Sequence, residues 1–178
     1  MAVAVAALAS GIYWSVLRSQ RLVPVNAESG GARSETSSEL VLADLQFPDL
    51  QGKPTPLSTW RGQILVINFW ATWCAPCREE MPSFVAAQHR FVDKKLLFVG
   101  IGIDSPEKMA AFAQELKINY PLLVGDGATL GLMRELGNQS GGLPFTIVVD
   151  RAGKIVDRFV GVVPAAVLDE KLRVLTAG

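Results

Sequence analysis

The chain has only two cysteines, and both fall in Trp73-Cys74-Ala75-Pro76-Cys77. Two thiols one helical turn apart can pass between a dithiol and an internal disulfide, so these residues point to thiol-disulfide exchange. The flanks fit that chemistry. Ile64 to Trp70 reads as a buried strand running into the motif, and Arg78 onward reads as a helix leaving it. A cysteine at a helix N-terminus faces unpaired backbone N–H groups and the positive end of the helix dipole, which holds its pKa below the free-thiol value of about 8.5. Cys74 is therefore read as the attacking sulfur. Cys77, one turn deeper, is read as the resolving sulfur that releases a mixed disulfide. Pro76 has its φ preset for a first helical turn and lacks an N–H that would be unpaired there anyway.

Two other readings of a CxxC stand beside this one. The pair could be a structural staple, although so short a loop constrains the unfolded chain little. Two thiolates are also half of a tetrahedral zinc site, but the chain has no second CxxC, and its single histidine, His89, reads as a surface residue of the following helix. No metal and no cofactor is expected.

The elements that must position the motif follow from the pattern. Leu40 to Leu57, broken by Pro48, Gly52, Pro54 and Pro56, reads as a hairpin with edge character. Met81, Phe84, Val85, Gln88, Phe91 and Val92 lie on one helical face, and Leu96 to Ile103 is the near-continuous apolar run of a strand buried on both sides. Ser105-Pro106 opens a further helix with Ser at the N-cap and Pro at the first position; Met109, Phe112, Ala113 and Leu116 form its stripe. A short strand over 120–124, a helix over 128–136, an antiparallel pair over 145–149 and 155–160, and a closing helix over 164–175 complete an α/β chain.

With 178 residues, 49% of them hydrophobic, the chain can bury one sizeable core. Its formal net charge of zero offers no basic surface for nucleic acid. Ala2 to Leu17 carries no charged side chain and is followed by Arg18 and Arg21, which marks residues 1–19 as a membrane anchor or uncleaved signal segment. Taken alone, arginines after the apolar run favour a domain on the cytoplasmic side. Residues 20–39, rich in Ser, Gly and Glu, read as a flexible linker. Residues 40–178 are the folded domain.

The block from Asn68 to Pro82, NFWATWCAPCREEMP, resembles the active-site block of the TlpA/ResA branch of the thioredoxin superfamily. The similarity continues through Gly142-Leu143-Pro144-Phe145-Thr146, which resembles the cis-proline segment of that family, and through the Asp150 to Ile155 hairpin. The resemblance implies a thioredoxin-like fold, a central mixed sheet flanked by helices, with an N-terminal β-hairpin and an inserted helix-strand unit around residues 105 to 124. It also implies a cis Leu143-Pro144 bond that would set the Leu143 backbone beside Cys74, where an extended client could pair with it. Trp73, Leu143 and Pro144 are then client-binding residues.

Glu80 lies three residues beyond Cys77, about one turn along the same face, and could exchange a proton with the resolving thiol; the family uses a glutamate at the matching position. The competing role for Glu80 is a surface pair with an arginine. Asn68 departs from thioredoxins proper, which carry a proton-relaying aspartate there; an amide cannot relay a proton in that way. Trp70 and Trp73 are expected to pack around the motif. By resemblance, the protein is a membrane-tethered reductase of extracytoplasmic disulfides, with clients such as apocytochrome c or copper-site assembly proteins. Its electron donor would be a membrane thiol-disulfide reductase. A peroxiredoxin shares the inserted fold but needs a Pro-x-x-x-Thr-x-x-Cys site, and no proline precedes the motif within the strand. A metallochaperone or client-binding module without catalysis lacks its ligands.

Overall fold

The computed structural model describes residues 42–177. The apolar segment 1–19 and the linker 20–39 lie outside the described residues, and among the described residues no helix is long and apolar enough to cross a membrane.

Strands β1 (Gln46–Pro48) and β2 (Pro54–Pro56) pair antiparallel into the expected hairpin. The main sheet contains β3 (Ile64–Trp70), β4 (Leu96–Gly102), β5 (Leu122–Val124), β6 (Phe145–Val149) and β7 (Ile155–Val160), in the order β5-β4-β3-β6-β7. Its parallel half runs through β3, β4 and β5, while β6 and β7 join antiparallel. The sheet is mixed, as expected. Helices α1 (Ala75–Phe91), α2 (Pro106–Leu116), α3 (Gly127–Glu135) and α4 (Ala165–Ala177) flank it.

β3 lies at the centre because every one of its seven residues is buried, which requires cover on both faces. Ile64, Val66 and Trp70 join Met81 and Phe84 of α1, Met109 and Phe112 of α2, and Leu168 and Leu172 of α4 in one core. Leu65, Ile67 and Phe69 face the other way, onto Phe47, Leu57, Met133 and Leu136. Gln88 stitches α1 to the sheet: its amide oxygen accepts from Phe98 N at 2.7 Å and its Nε2 donates to Leu96 O at 3.4 Å.

Two of the boundaries that differ from the sequence expectation have a clear cause. Val92 is not on the buried face of α1; the helix ends at Phe91, the chain tightens into a 3-10 turn over Val92–Lys94, and Val92 is 60% exposed. β5 begins at Leu122 rather than at residue 120, because Pro121 has no N–H for the ladder, although its carbonyl accepts from Gly100 N at 2.9 Å.

Candidate active site

The CxxC sits where the central strand turns into α1. Cys74 is the N-cap, in extended conformation, and its Sγ accepts from Cys77 N at 3.3 Å; Ala75 and Pro76 form the first turn. Cys74 at the helix N-terminus and Pro76 in its first turn are as read from the sequence. The sulfurs are joined, with S–S 2.01 Å and Cα–Cα 5.3 Å. They are not equivalent, since Cys74 keeps 6% of its surface open and Cys77 none.

The two tryptophans part company. Trp70 is wholly buried, its ring tilted at 30° against Phe112 with centroids 5.3 Å apart, whereas Trp73, next to Cys74, is 68% exposed. Between them Thr72 donates its hydroxyl to Asp104, whose carboxylate also takes Ser105 N at 2.8 Å and Lys108 Nζ at 3.2 Å. Burial by itself would raise the Asp104 pKa, but these donors together hold it below the ordinary carboxylate value. The loop into the CxxC is thereby fastened to the start of α2.

Glu80 is buried, 3% exposed, on the inner face of α1. The surface pairing with an arginine does not occur. Its Oε1 accepts from Asn68 Nδ2 at 2.9 Å and its Oε2 from Val163 N at 3.0 Å. Removal from water raises its pKa to about 7, against the lowering effect of the Val163 and Asn68 bonds. Asn68 is held in turn by Thr146, its partner in the β3–β6 register, to whose Oγ1 the same Nδ2 donates at 3.0 Å. Tyr120, also buried, has its hydroxyl pKa raised by burial first and by the Glu80 charge second. Glu79 and His89 are exposed, as expected.

The Leu143-Pro144 bond is cis. Pro144 is buried at the head of β6, and half-buried Leu143 packs against the cluster that contains Cys74 and Cys77. Sequence reasoning did not find Thr146 or Val163. Neither carries a local signal: Thr146 meets Asn68 across 78 residues of chain and Val163 meets Glu80 across 83, and only the sheet register and the β7–α4 turn bring them there.

A central mixed sheet, a CxxC disulfide capping the helix that follows its middle strand, and a cis-proline at the start of the neighbouring antiparallel strand together define a thioredoxin-like fold. The chain belongs to the AhpC/TSA family, whose profile matches residues 41–158. It is 32% identical to the thioredoxin-like protein YneN of Bacillus subtilis over 72% of this chain and 75% of that one. It is 29% identical to the thiol-disulfide oxidoreductase ResA of Bacillus cereus over 64% of each chain. Among solved structures, a thioredoxin-family thiol:disulfide interchange protein from Chlorobium tepidum superposes with a TM-score of 0.65 at 27% identity, covering 75% of this chain and 94% of that one.

Proposed function

We propose that this protein is a thiol-disulfide oxidoreductase that reduces disulfides of client proteins on the extracytoplasmic side of a membrane, tethered there by residues 1–19 through the linker 20–39. The observation that carries the chemistry is the graded burial along α1: a partly open Cys74 at the cap, a closed Cys77 one turn in, and Glu80 a further turn in with its pKa at about 7. ResA-type relatives bear names that describe the same exchange reaction.

In the reduced protein the Cys74 thiolate attacks a client disulfide; that S–S bond breaks, one client sulfur leaves as a thiolate, and a mixed disulfide forms. Cys77 then gives its proton to Glu80 and attacks the Cys74 sulfur, releasing the second client thiolate. Two electrons pass from the dithiol to the client, and the internal disulfide remains. A carboxylate near pKa 7 suits this step because it accepts a proton from a thiol and returns it without a large energetic mismatch. Trp73 and the Leu143-Pro144 segment receive the client, and a membrane thiol-disulfide reductase restores the dithiol. Apocytochrome c and copper-site assembly proteins are the client classes that the family resemblance favours.

Family membership does not by itself separate this reaction from peroxide reduction, but the residues do. Ala71 stands three before Cys74 and Ile67 seven before it, where a peroxidase site needs threonine and proline.

The test is trapping. Cys77→Ser accumulates mixed disulfides through Cys74, and Cys74→Ser accumulates none. Faster alkylation of Cys77 than of Cys74 in the reduced protein would reverse the two roles.

A further inference from the structure

Leu143 lies between two carbonyls that are both already paired within the protein. Gly142 O accepts from Asn138 Nδ2 at 2.8 Å, and Pro144 O accepts from Gly161 N at 2.8 Å. The Leu143 N–H and C=O themselves bond to no other described residue. One residue with both backbone groups open is the unit that an antiparallel partner strand engages through a pair of hydrogen bonds.

What holds that residue in place is Asn138. Its backbone is fixed to the end of α3: Asn138 N donates to Met133 O at 2.9 Å and Gly137 N to Arg134 O at 3.0 Å, with Gly137 at φ +108°, the pattern of a Schellman cap. Its side chain has no exposed surface and is satisfied at both ends, Nδ2 by Gly142 O and Oδ1 by the Ser140 hydroxyl at 2.8 Å. Gly141 N closes back onto Asn138 O at 3.1 Å and Gly142 N onto Ser140 Oγ at 3.3 Å. A segment with two adjacent glycines has high backbone freedom, and here one buried amide removes it. Arg158 adds a second anchor, its Nε donating to Leu136 O at 2.8 Å and tying the same cap to β7.

We propose that Asn138 is a positioning residue for client capture: by holding the Gly142 carbonyl inward it keeps the Leu143 N–H and C=O as a preformed docking edge. The client is the extended segment that the family resemblance already implies; what Asn138 adds is the ordering of the edge before the client arrives. This rests on the reading of Leu143 as a client-binding residue.

The test compares two oxidants of the reduced full chain. One is a peptide disulfide with extended flanks; the other is dithiobis(nitrobenzoic acid), which carries no peptide backbone. Asn138→Ala should slow the reaction with the peptide by about tenfold, the factor set by ordering one further backbone residue at docking. Its rate with the small disulfide should match that of the parent. Gly142→Ala, whose added Cβ meets only Ser140 Oγ at 3.5 Å, should restore part of the peptide rate in the Asn138→Ala background by stiffening the freed segment. An unchanged peptide rate, or equal losses with both oxidants, overturns the proposal, and equal losses would place the effect on Cys74 chemistry or on folding. A parent protein that reacts with neither oxidant would remove the proposed exchange activity itself.

Discussion

In the proposed reaction, Glu80 carries the site's pH dependence. Its carboxyl titrates near 7 in the folded protein against 4.5 for an ordinary glutamate, so between those values the folded state holds a proton that the unfolded chain has released. Stability therefore declines as pH rises from about 4.5 to 7 and stays lower above, by about 3 kcal/mol for a shift of this size. Glu80→Gln should flatten that decline, read as denaturant midpoints across the same pH range. The substitution is tolerable for a reason visible only in the structure. Both Glu80 oxygens accept from donors, so a glutamine NH2 needs an acceptor, and the Asn68 Oδ1, buried without a partner, supplies one when that amide flips. The resolving step should lose its pH dependence near neutrality; stopped-flow profiles that coincide with the parent would take Glu80 out of the reaction. Asn68→Leu removes a bond that lowers the Glu80 pKa, so the same profile should move to higher pH. The pairing of Cys74 with Cys77 and the place of Glu80 on the same helix were legible in the sequence because helical spacing is local. The conversion of Glu80 from a possible surface residue into a buried acid was not, because it depends on Thr146 and Val163, which chain distance hides.

The elements act on the site through their ends. α3 begins with a reciprocal box: Asp126 Oδ1 accepts from Ala128 N at 2.9 Å and Thr129 N at 3.2 Å, and Thr129 Oγ1 accepts from Asp126 N at 2.9 Å. Its far end carries Asn138. Asp126→Ala should cost about 1 kcal/mol, seen as a lower urea midpoint at unchanged slope. Within the sheet, Gly100, opposite Asn68 in the β3–β4 register, leaves little room for a side chain. A Cβ there would stand 2.6 Å from Leu122 Cδ2 and 3.0 Å from Trp70 Nε1, so Gly100→Ala should destabilise by about 1–3 kcal/mol through displacement of β5 or of Trp70. A thermal midpoint equal to the parent would show that β5 yields freely. Long elements with a single strong period were legible: the apolar run 64–70 and the Ser105-Pro106 start gave β3 and α2 within a residue. Ends set by hydrogen bonds were less so. Val92 satisfies the spacing of the α1 face but lies past its last turn, and Gly100 reads in sequence only as one more small residue of a buried strand.

For the whole molecule, the surroundings of Cys74 set which way electrons run. A strongly oxidising pair requires a heavily stabilised thiolate in its reduced form. Here the groups placed to stabilise the Cys74 sulfur are the Cys77 N–H and the N-terminus of α1. Ala75 and Pro76 contribute no charge or side-chain donor, and the nearest cation along the helix, Arg78, is turned to Glu115 at 3.5 Å and lies over the Phe112 ring at 4.8 Å. Stabilisation by a helix end and one amide is modest, on the order of 1–2 kcal/mol, against the several needed to reach the low thiol pKa of the strongest oxidants. The protein should therefore be a reductant, with a potential nearer the thioredoxin value of about −270 mV than the strong-oxidant value of about −120 mV. Such a protein outside the cytoplasm drains to the disulfide unless a membrane donor recharges it, which gives the proposed tether at residues 1–19 a reason beyond retention. Equilibration of the full chain against glutathione buffers reads the potential. A midpoint more oxidising than about −180 mV would reverse the flow, making the protein a donor of disulfides rather than their reductant.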